Sequence, residues 1–302
     1  MKPKPVAHIV IAGGSKPDLF ECLLSLSEST YTNVETIVVD NSDGGLTEEL
    51  SFAFPAVRVA RPPRPLTFAQ AVNHGFRLAI GRGAEAGFLL NDDVTVHPQT
   101  LTLLAEEEAK AGPGVYAPEI WPYEGAAART RFAIDWEKRL VVSQRASSTG
   151  GAGEIDYAEG SAVFISKRVF EALGGFDEAL GFYYEDADFS VRARDAGFPV
   201  AEVPGARAWH KGSVSAGRGL SPFKAYWRSR NALKFAMKHR KRANVAANTL
   251  YHFGEFVIPE AAKATARMLT GSRNDTRILA AIARGTMDLV TGSKKAGRFE
   301  VS

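Results

Sequence analysis

The chain has 302 residues, 45% apolar and 24% charged, with one cysteine and a formal net charge of +3. That size and composition suit a soluble globular protein with one large domain, or one domain and a helical appendage. They exclude a disulfide-stapled scaffold, a bundle of membrane spans of roughly 18 or more apolar residues each, and a wholly basic nucleic-acid binder. The run from Met1 to Pro5 leads straight into apolar sequence without a signal-peptide core, so a cytoplasmic location is expected.

Val6 to Ile11 is a β-branched apolar run of the kind buried in a parallel sheet. Gly13-Gly14-Ser15 follows, and Pro17-Asp18 opens a helix carrying Leu19, Leu23, Leu24 and Leu26. Cys22 lies within that pattern and reads as an inert core thiol. A second strand, Val34 to Val39, ends at Asp40-Asn41-Ser42-Asp43-Gly44-Gly45. A helix, a short strand near Val57 to Val59 and a helix over Phe68 to Gly81 come next. The third apolar strand, Phe88 to Leu90, ends in Asn91-Asp92-Asp93. This alternation predicts an α/β fold with a doubly wound, mostly parallel sheet. Ligands of such sheets bind at the carboxyl ends of the strands, and each of the three clearest strands ends in a polar or glycine-rich loop. The first loop lacks the G-x-G-x-x-G spacing of a dinucleotide site, and no G-x-x-x-x-G-K-[ST] phosphate loop occurs.

Residues 112–153 read as an insertion over the site, with Trp121, Pro122, Tyr123, Arg129, Arg131 and Trp136, and with Ser147 to Gly153 as a candidate lid. Its aromatic rings are either exposed for stacking on a ligand or packed in a core. Gly160-Ser161 then lead into the strand AVFI. The aromatic run Phe182-Tyr183-Tyr184 ends in Glu185-Asp186-Ala187-Asp188. Three carboxylates in four positions repel one another, so the grouping needs cations, reaction chemistry or a helix dipole to offset it. Asp186 opens a helix that stops at Gly197, and Asp188 is spaced to pair with Arg192. His210 follows Trp209, and the Gly/Ser-rich stretch after it carries Lys211 and Arg218. Tyr226 to Asn231 begins a helical tail with a basic run, Lys238 to Arg242, and an apolar stripe of Ile278, Leu279, Ile282 and Leu289. The expected organisation is a catalytic domain over 1–222 and a helical extension over 223–302.

The pieces VETIVVDNSDGG, AVNHGFRLAIGRG, FLLNDDVTVHP and EGSAVFISKRVFEALGGFDEALGFYYEDADF occur in one order between Val6 and His210. As an ordered set they resemble glycosyltransferase family 2, the inverting enzymes of GT-A fold, and particularly its rhamnosyltransferase-like members. The resemblance implies a nucleoside-diphosphate-sugar donor, Mn²⁺ or Mg²⁺, and inversion at the anomeric carbon. It also implies a glycan, lipid-linked or small-molecule acceptor, as in surface polysaccharide synthesis. By position it makes Asp186 the general base, with Glu185 beside it. It assigns Ala12, Gly13, Asp40, Asn73 and Asp92 to the donor nucleotide, and Asp93 and His210 to the metal. Gly160, Ser161, Trp209, Lys211 and Arg218 fall toward acceptor or phosphate.

The chain departs from the family where Ala12-Gly13-Gly14 replaces an aromatic-bearing loop, where Pro65-Leu66-Thr67 replaces a glycine-asparagine signature, and where Asn91 opens the acidic element. These departures leave the base and the sugar open. Two other readings compete: a non-catalytic sugar-nucleotide or glycan-binding module that has kept the fold, and a sugar nucleotidyltransferase, which Gly13-Gly14-Ser15-Lys16 matches slightly. No nucleic-acid partner is expected. Homodimerisation and peripheral membrane contact through the C-terminal helices stay open.

Overall fold

The computed structural model describes residues 3–13, 15–42, 46–123, 130–137, 140–145, 153–212, 220–268 and 274–291. Its strands are β1 (Val6–Ala12), β2 (Val34–Asp40), β3 (Arg58–Ala60), β4 (Ala86–Asn91), β5 (Val94–Val96), β6 (Val115–Pro122), β7 (Thr130–Asp135), β8 (Leu140–Arg145), β9 (Gly153–Glu154), β10 (Ala162–Ser166) and β11 (Val200–His210). Its helices are α1 (Lys16–Ser27), α2 (Leu46–Ala53), α3 (Phe68–Gly81), α4 (Thr100–Ala111), α5 (Lys167–Leu173), α6 (Glu185–Asp195), α7 (Pro222–Lys238), α8 (Val245–Tyr251), α9 (Ile258–Met268) and α10 (Asn274–Thr291). A π-helical turn, His252–Val257, joins α8 to α9. Residues group into two compact units: 1–132, 143–181 and 185–215 in the first, and 133–142, 182–184 and 216–302 in the second.

In the first unit the strand order is β3-β2-β1-β4-β10-β6-β11-β5, with β9 also on β11. β1 is parallel to both β2 and β4. All seven of its residues are buried. Alternate side chains feed opposite faces of the sheet, as the strand period requires. Val6, Val10 and Ala12 join the core with Leu19, Cys22, Leu23 and Leu26 of α1. Ala7, Ile9 and Ile11 join the other, with Ala69, Val72 and Phe76 of α3. Gly75 is needed there, because a Cβ would lie 2.5 Å from Ile9 Cγ2. Thr67 and Gln70 close a capping box at the start of α3.

Beyond β4 the sheet is mixed, with β11 parallel to β6. β10 runs antiparallel to β4 and β6, and β5 antiparallel to β11. This corrects the expected 112–153 insertion: β6 is an internal strand, between β10 and β11. Arg131, in β7, donates from Nε to Glu202 of β11 at 3.0 Å. Arg129 and most of the candidate lid, through Ala152, lie outside the described residues.

The second unit has its own core, of Ala225, Tyr226 and Trp227 with Ile278, Ala281 and Ile282. At Gly285 a Cβ would lie 2.5 Å from the Tyr226 carbonyl oxygen, so α10 and α7 approach closely there. Tyr226 donates to Asp288 at 2.8 Å. Trp136 stacks on Phe235 with ring centroids 5.6 Å apart, so core packing rather than sugar stacking accounts for it. Tyr183 and Tyr184 have φ of 64° and 71°, a region that bulky residues enter only when held. The Asn231 side-chain amide holds them, donating to the carbonyls of Phe182 at 2.7 Å and Tyr183 at 3.1 Å. Arg230 in turn donates to Asn231 Oδ1 at 2.7 Å and lies over the Trp227 ring, in structural work. No helix among the described residues is long and apolar enough to cross a membrane.

Candidate active site

Two acidic loops sit at the carboxyl ends of β2 and β4. Asp40, 2% exposed, accepts from the Ser42 amide at 3.1 Å and the Ser42 hydroxyl at 2.5 Å, so its own loop fixes the carboxylate. Beside it opens a cleft of about 150 Å³ lined by Asp40, Asn41, Ser42 and the run Arg61 to Pro65. Asn41 pins the far wall by exchanging hydrogen bonds with both backbone groups of Leu66, at 2.9 and 2.7 Å. Arg61 and Arg64 were not singled out by sequence reasoning; the proline-rich run after β3, rigid and twice basic, was the available signal. Asp92 accepts from the Gly13 amide at 2.9 Å, which ties the β1 and β4 loops together. Ala12 is buried at the end of β1, and Gly13 is exposed.

The second half of the site comes from the antiparallel part of the sheet. Because β5 pairs with β11 in the register Val94 to His210, Asp93 is brought beside His210. Asp93 Oδ1 lies 3.3 Å from His210 Nε2, and Glu159 Oε1 lies 3.3 Å from His210 Nδ1. Burial alone would push this imidazole toward its neutral form. The two carboxylates outweigh it and raise the ring to about 10. β10 starts at the edge where β4 ends, so the residues before it, Gly160 and Ser161, arrive at the same place. The Gly160 amide donates to Asp186 Oδ2 at 3.0 Å, and Asp186 Oδ1 accepts from its own helix terminus, the Ala187 amide, at 2.7 Å. Burial raises the Asp186 carboxyl to about 6; these amides oppose the rise and the charge of Glu159 adds to it.

Several expected roles are redirected. Glu185 is buried, and burial together with the Asp186 charge holds its carboxyl well above the usual range. Burial thus favours its neutral form. Asp188 is fully buried and paired with Arg192 at 2.8 Å. Arg192 also donates to the Leu173 and Gly175 carbonyls, bracing the loop before α6. Asn73 is buried and taken up by the fold: its amide donates to Phe176 O at 2.9 Å and Glu178 at 3.0 Å, and its oxygen accepts from Phe176 N. Lys211 is not available to a phosphate, since Asp18 and Glu21 of α1 each hold its Nζ at 2.6 Å. Burial lowers its pKa less than those hydrogen bonds raise it, so it stays charged. Trp209 precedes His210 on the strand and so faces the opposite side of the sheet. Ser161 is buried, and its hydroxyl has no hydrogen-bond partner among the described residues. Arg218 lies outside the described residues.

Asp93 and His210 offer one hard oxygen and one imidazole nitrogen, a donor set suited to Mn²⁺ and tolerable to Mg²⁺. Adjacent ligands at about 2.1 Å from one ion stand roughly 3 Å apart, close to the observed 3.3 Å. Among the described residues no group of three or more His, Cys, Asp or Glu side chains is arranged to hold a metal ion.

Comparison with known proteins gives the family and the fold. The profile described as "Glycosyl transferase family 2" matches residues 9–174. An N-acetylglucosaminyl-diphospho-decaprenol L-rhamnosyltransferase of Mycobacterium tuberculosis is 25% identical over 255 residues, covering 71% of this chain and 78% of that protein. The dTDP-rhamnosyl transferase RfbF of Shigella flexneri is 24% identical over 237 residues, covering 74% and 77%. Among solved structures, the mannosyltransferase PcManGT of Pyrobaculum calidifontis, in complex with GDP-Man and Mn²⁺, superposes with a TM-score of 0.60. It is 16% identical and covers 96% of this chain and 88% of that one, a likeness of fold.

Proposed function

The chain belongs to glycosyl transferase family 2, and from that premise we propose that it moves a sugar, with inversion and with a divalent cation, from a nucleoside diphosphate to an acceptor hydroxyl. That it is a glycosyltransferase of rhamnosyltransferase-like type follows from the family and its relatives. The observation that carries the finer reading is one run of contacts: Asp93 to His210, His210 to Glu159, and the neighbouring Gly160 amide to Asp186.

In this reading Asp40 and the Arg61–Pro65 wall hold the nucleoside, and Asp92 keeps the Gly13 loop beside it. Asp93 and His210 would hold the cation, which supplies positive charge to the diphosphate leaving group. Asp186 takes the proton of the acceptor hydroxyl as that oxygen attacks the anomeric carbon from the face opposite the diphosphate. The bond from that carbon to the diphosphate oxygen breaks, and its electron pair leaves with the nucleotide. A carboxyl raised to about 6 is still ionised at neutral pH and is a stronger base than an ordinary aspartate.

The relatives' names put dTDP-rhamnose first among donors and a sugar carried on a polyprenyl diphosphate first among acceptors. Such an acceptor fits glycan assembly from the cytoplasmic side of a membrane. Exposed Met237, Leu250 and Ile258 in the second unit, with the basic run Lys238 to Arg242, are in keeping with contact at a lipid surface. The test is a melting panel of dTDP, UDP and GDP and their sugars, with and without Mn²⁺, followed by donor hydrolysis. One nucleotide should stabilise the protein only with metal, and Asp186→Asn should hydrolyse its sugar at least about 100-fold more slowly. Absence of any metal-dependent shift, or wild-type turnover in Asp186→Asn, would overturn the reading.

A further inference from the structure

Glu159 was given neither a ligand nor a catalytic role above, yet it touches the centre of the site. Its carboxylate lies against His210 Nδ1, while Asp93 faces the other ring nitrogen. It therefore stands on the opposite side of the imidazole from Asp93 and is not placed to share an ion with it. The next residue, Gly160, gives its amide to Asp186 at 3.0 Å. One dipeptide thus reaches the histidine through a side chain and the base through the backbone.

A cation held at Nε2 would displace the proton there, and the neutral imidazole would keep its single proton on the other nitrogen, fixed by what that nitrogen meets. Histidines that bind metals through one nitrogen commonly give the N–H of the other to a carboxylate, which fixes ring orientation and raises ligand basicity. We propose that Glu159 is a positioning residue: it takes the Nδ1–H of His210, so that the Nε2 lone pair is presented on the Asp93 side, and it anchors the loop whose Gly160 amide orients Asp186. This rests on the reading of Asp93 and His210 as cation ligands. Glu159 would itself touch neither the ion nor the substrate.

The test uses the full-length chain, Mn²⁺ alone, and Mn²⁺ with the nucleoside diphosphate selected by the melting panel. Free Mn²⁺ is followed by electron paramagnetic resonance in wild type, Glu159→Ala, Glu159→Gln and Asp93→Ala. Wild type should bind, and Glu159→Ala should bind about 10- to 100-fold more weakly. Glu159→Gln keeps an acceptor oxygen and should fall between them. Ring ¹⁵N spectra of the Mg²⁺-loaded protein should show His210 with its proton on Nδ1 in wild type and lose that preference in Glu159→Ala. If Glu159→Ala does not fold, the Gln variant and the wild-type spectrum carry the test. Metal affinity within two-fold of wild type in both variants, or a proton on Nε2 in the loaded wild type, overturns the role of Glu159 and leaves the ligand assignment standing. If wild type binds no Mn²⁺, or Asp93→Ala binds as tightly, the ligand assignment fails, and the inference with it.

Discussion

Replacing Asp186 by asparagine should abolish transfer and yet make the protein more stable at neutral pH. The Asp186 carboxyl moves from 3.8 to about 6, with burial as the main cause. A raised carboxyl binds its proton more tightly in the folded state. The folded state is therefore favoured at low pH, and that advantage is lost as pH rises from 3.8 toward 6. At about 1.36 kcal/mol per unit, ionised Asp186 costs roughly 3 kcal/mol of folding free energy above pH 7. Asparagine removes the charge but accepts less strongly from the Gly160 and Ala187 amides, a loss of about 1–1.5 kcal/mol. The net gain should be about 1.5–2 kcal/mol at pH 8, shrinking and then reversing below pH 4, where only the hydrogen-bond loss remains. Urea unfolding of both proteins in metal-free buffer, from pH 4 to 8, measures it. A variant less stable than wild type at pH 8, or a difference that does not change with pH, would refute the burial argument.

Other substitutions probe the scaffold. Arg192→Met leaves Asp188 buried without its cation and should destabilise by about 3–5 kcal/mol, read as a lower urea midpoint. Lys211→Met breaks two ion pairs to α1 and should lower stability by about 1–2 kcal/mol while leaving nucleotide affinity unchanged in calorimetry. A ten-fold loss of affinity would restore a phosphate role to Lys211. Gly285→Ala drives a methyl into the Tyr226 carbonyl and should cost about 1–3 kcal/mol, visible as early loss of helical signal on heating.

Sequence patterns revealed the features that are local. Apolar strands ending at Asp40 and at Asp92-Asp93, and an acidic helix start at Asp186, are visible within a dozen residues each. The α/β architecture follows from the same alternation. What stayed hidden depends on partners far apart in the chain. Asn73 looked like a ligand group until Phe176, 103 residues on, was seen to absorb its amide. Lys211 is neutralised by Asp18, 193 residues away. β6 looked like part of an insertion because its neighbours, β10 and β11, come later and its own run carries no sign of them. Glu159 escaped notice for the same reason: it precedes β10 rather than following a parallel strand, and only the reversed direction of β10 brings it to the edge where β4 ends.

That reversal also bears on how the protein is made. Among the described residues β5 has its sheet partner only in β11, and β6 lies between β10 and β11. Synthesis at about 5–20 residues per second separates Pro122 from His210 by roughly 4–18 s. During that interval β1 to β4 can pair among themselves, whereas β6 gains β10 only partway through and β5 has no sheet partner until β11 is made. Unpaired strands are templates for aggregation, so the nascent chain is expected to need a holding chaperone until β11 emerges. Stalled chains ending before residue 200 should aggregate when released, and chains carried past residue 215 should not.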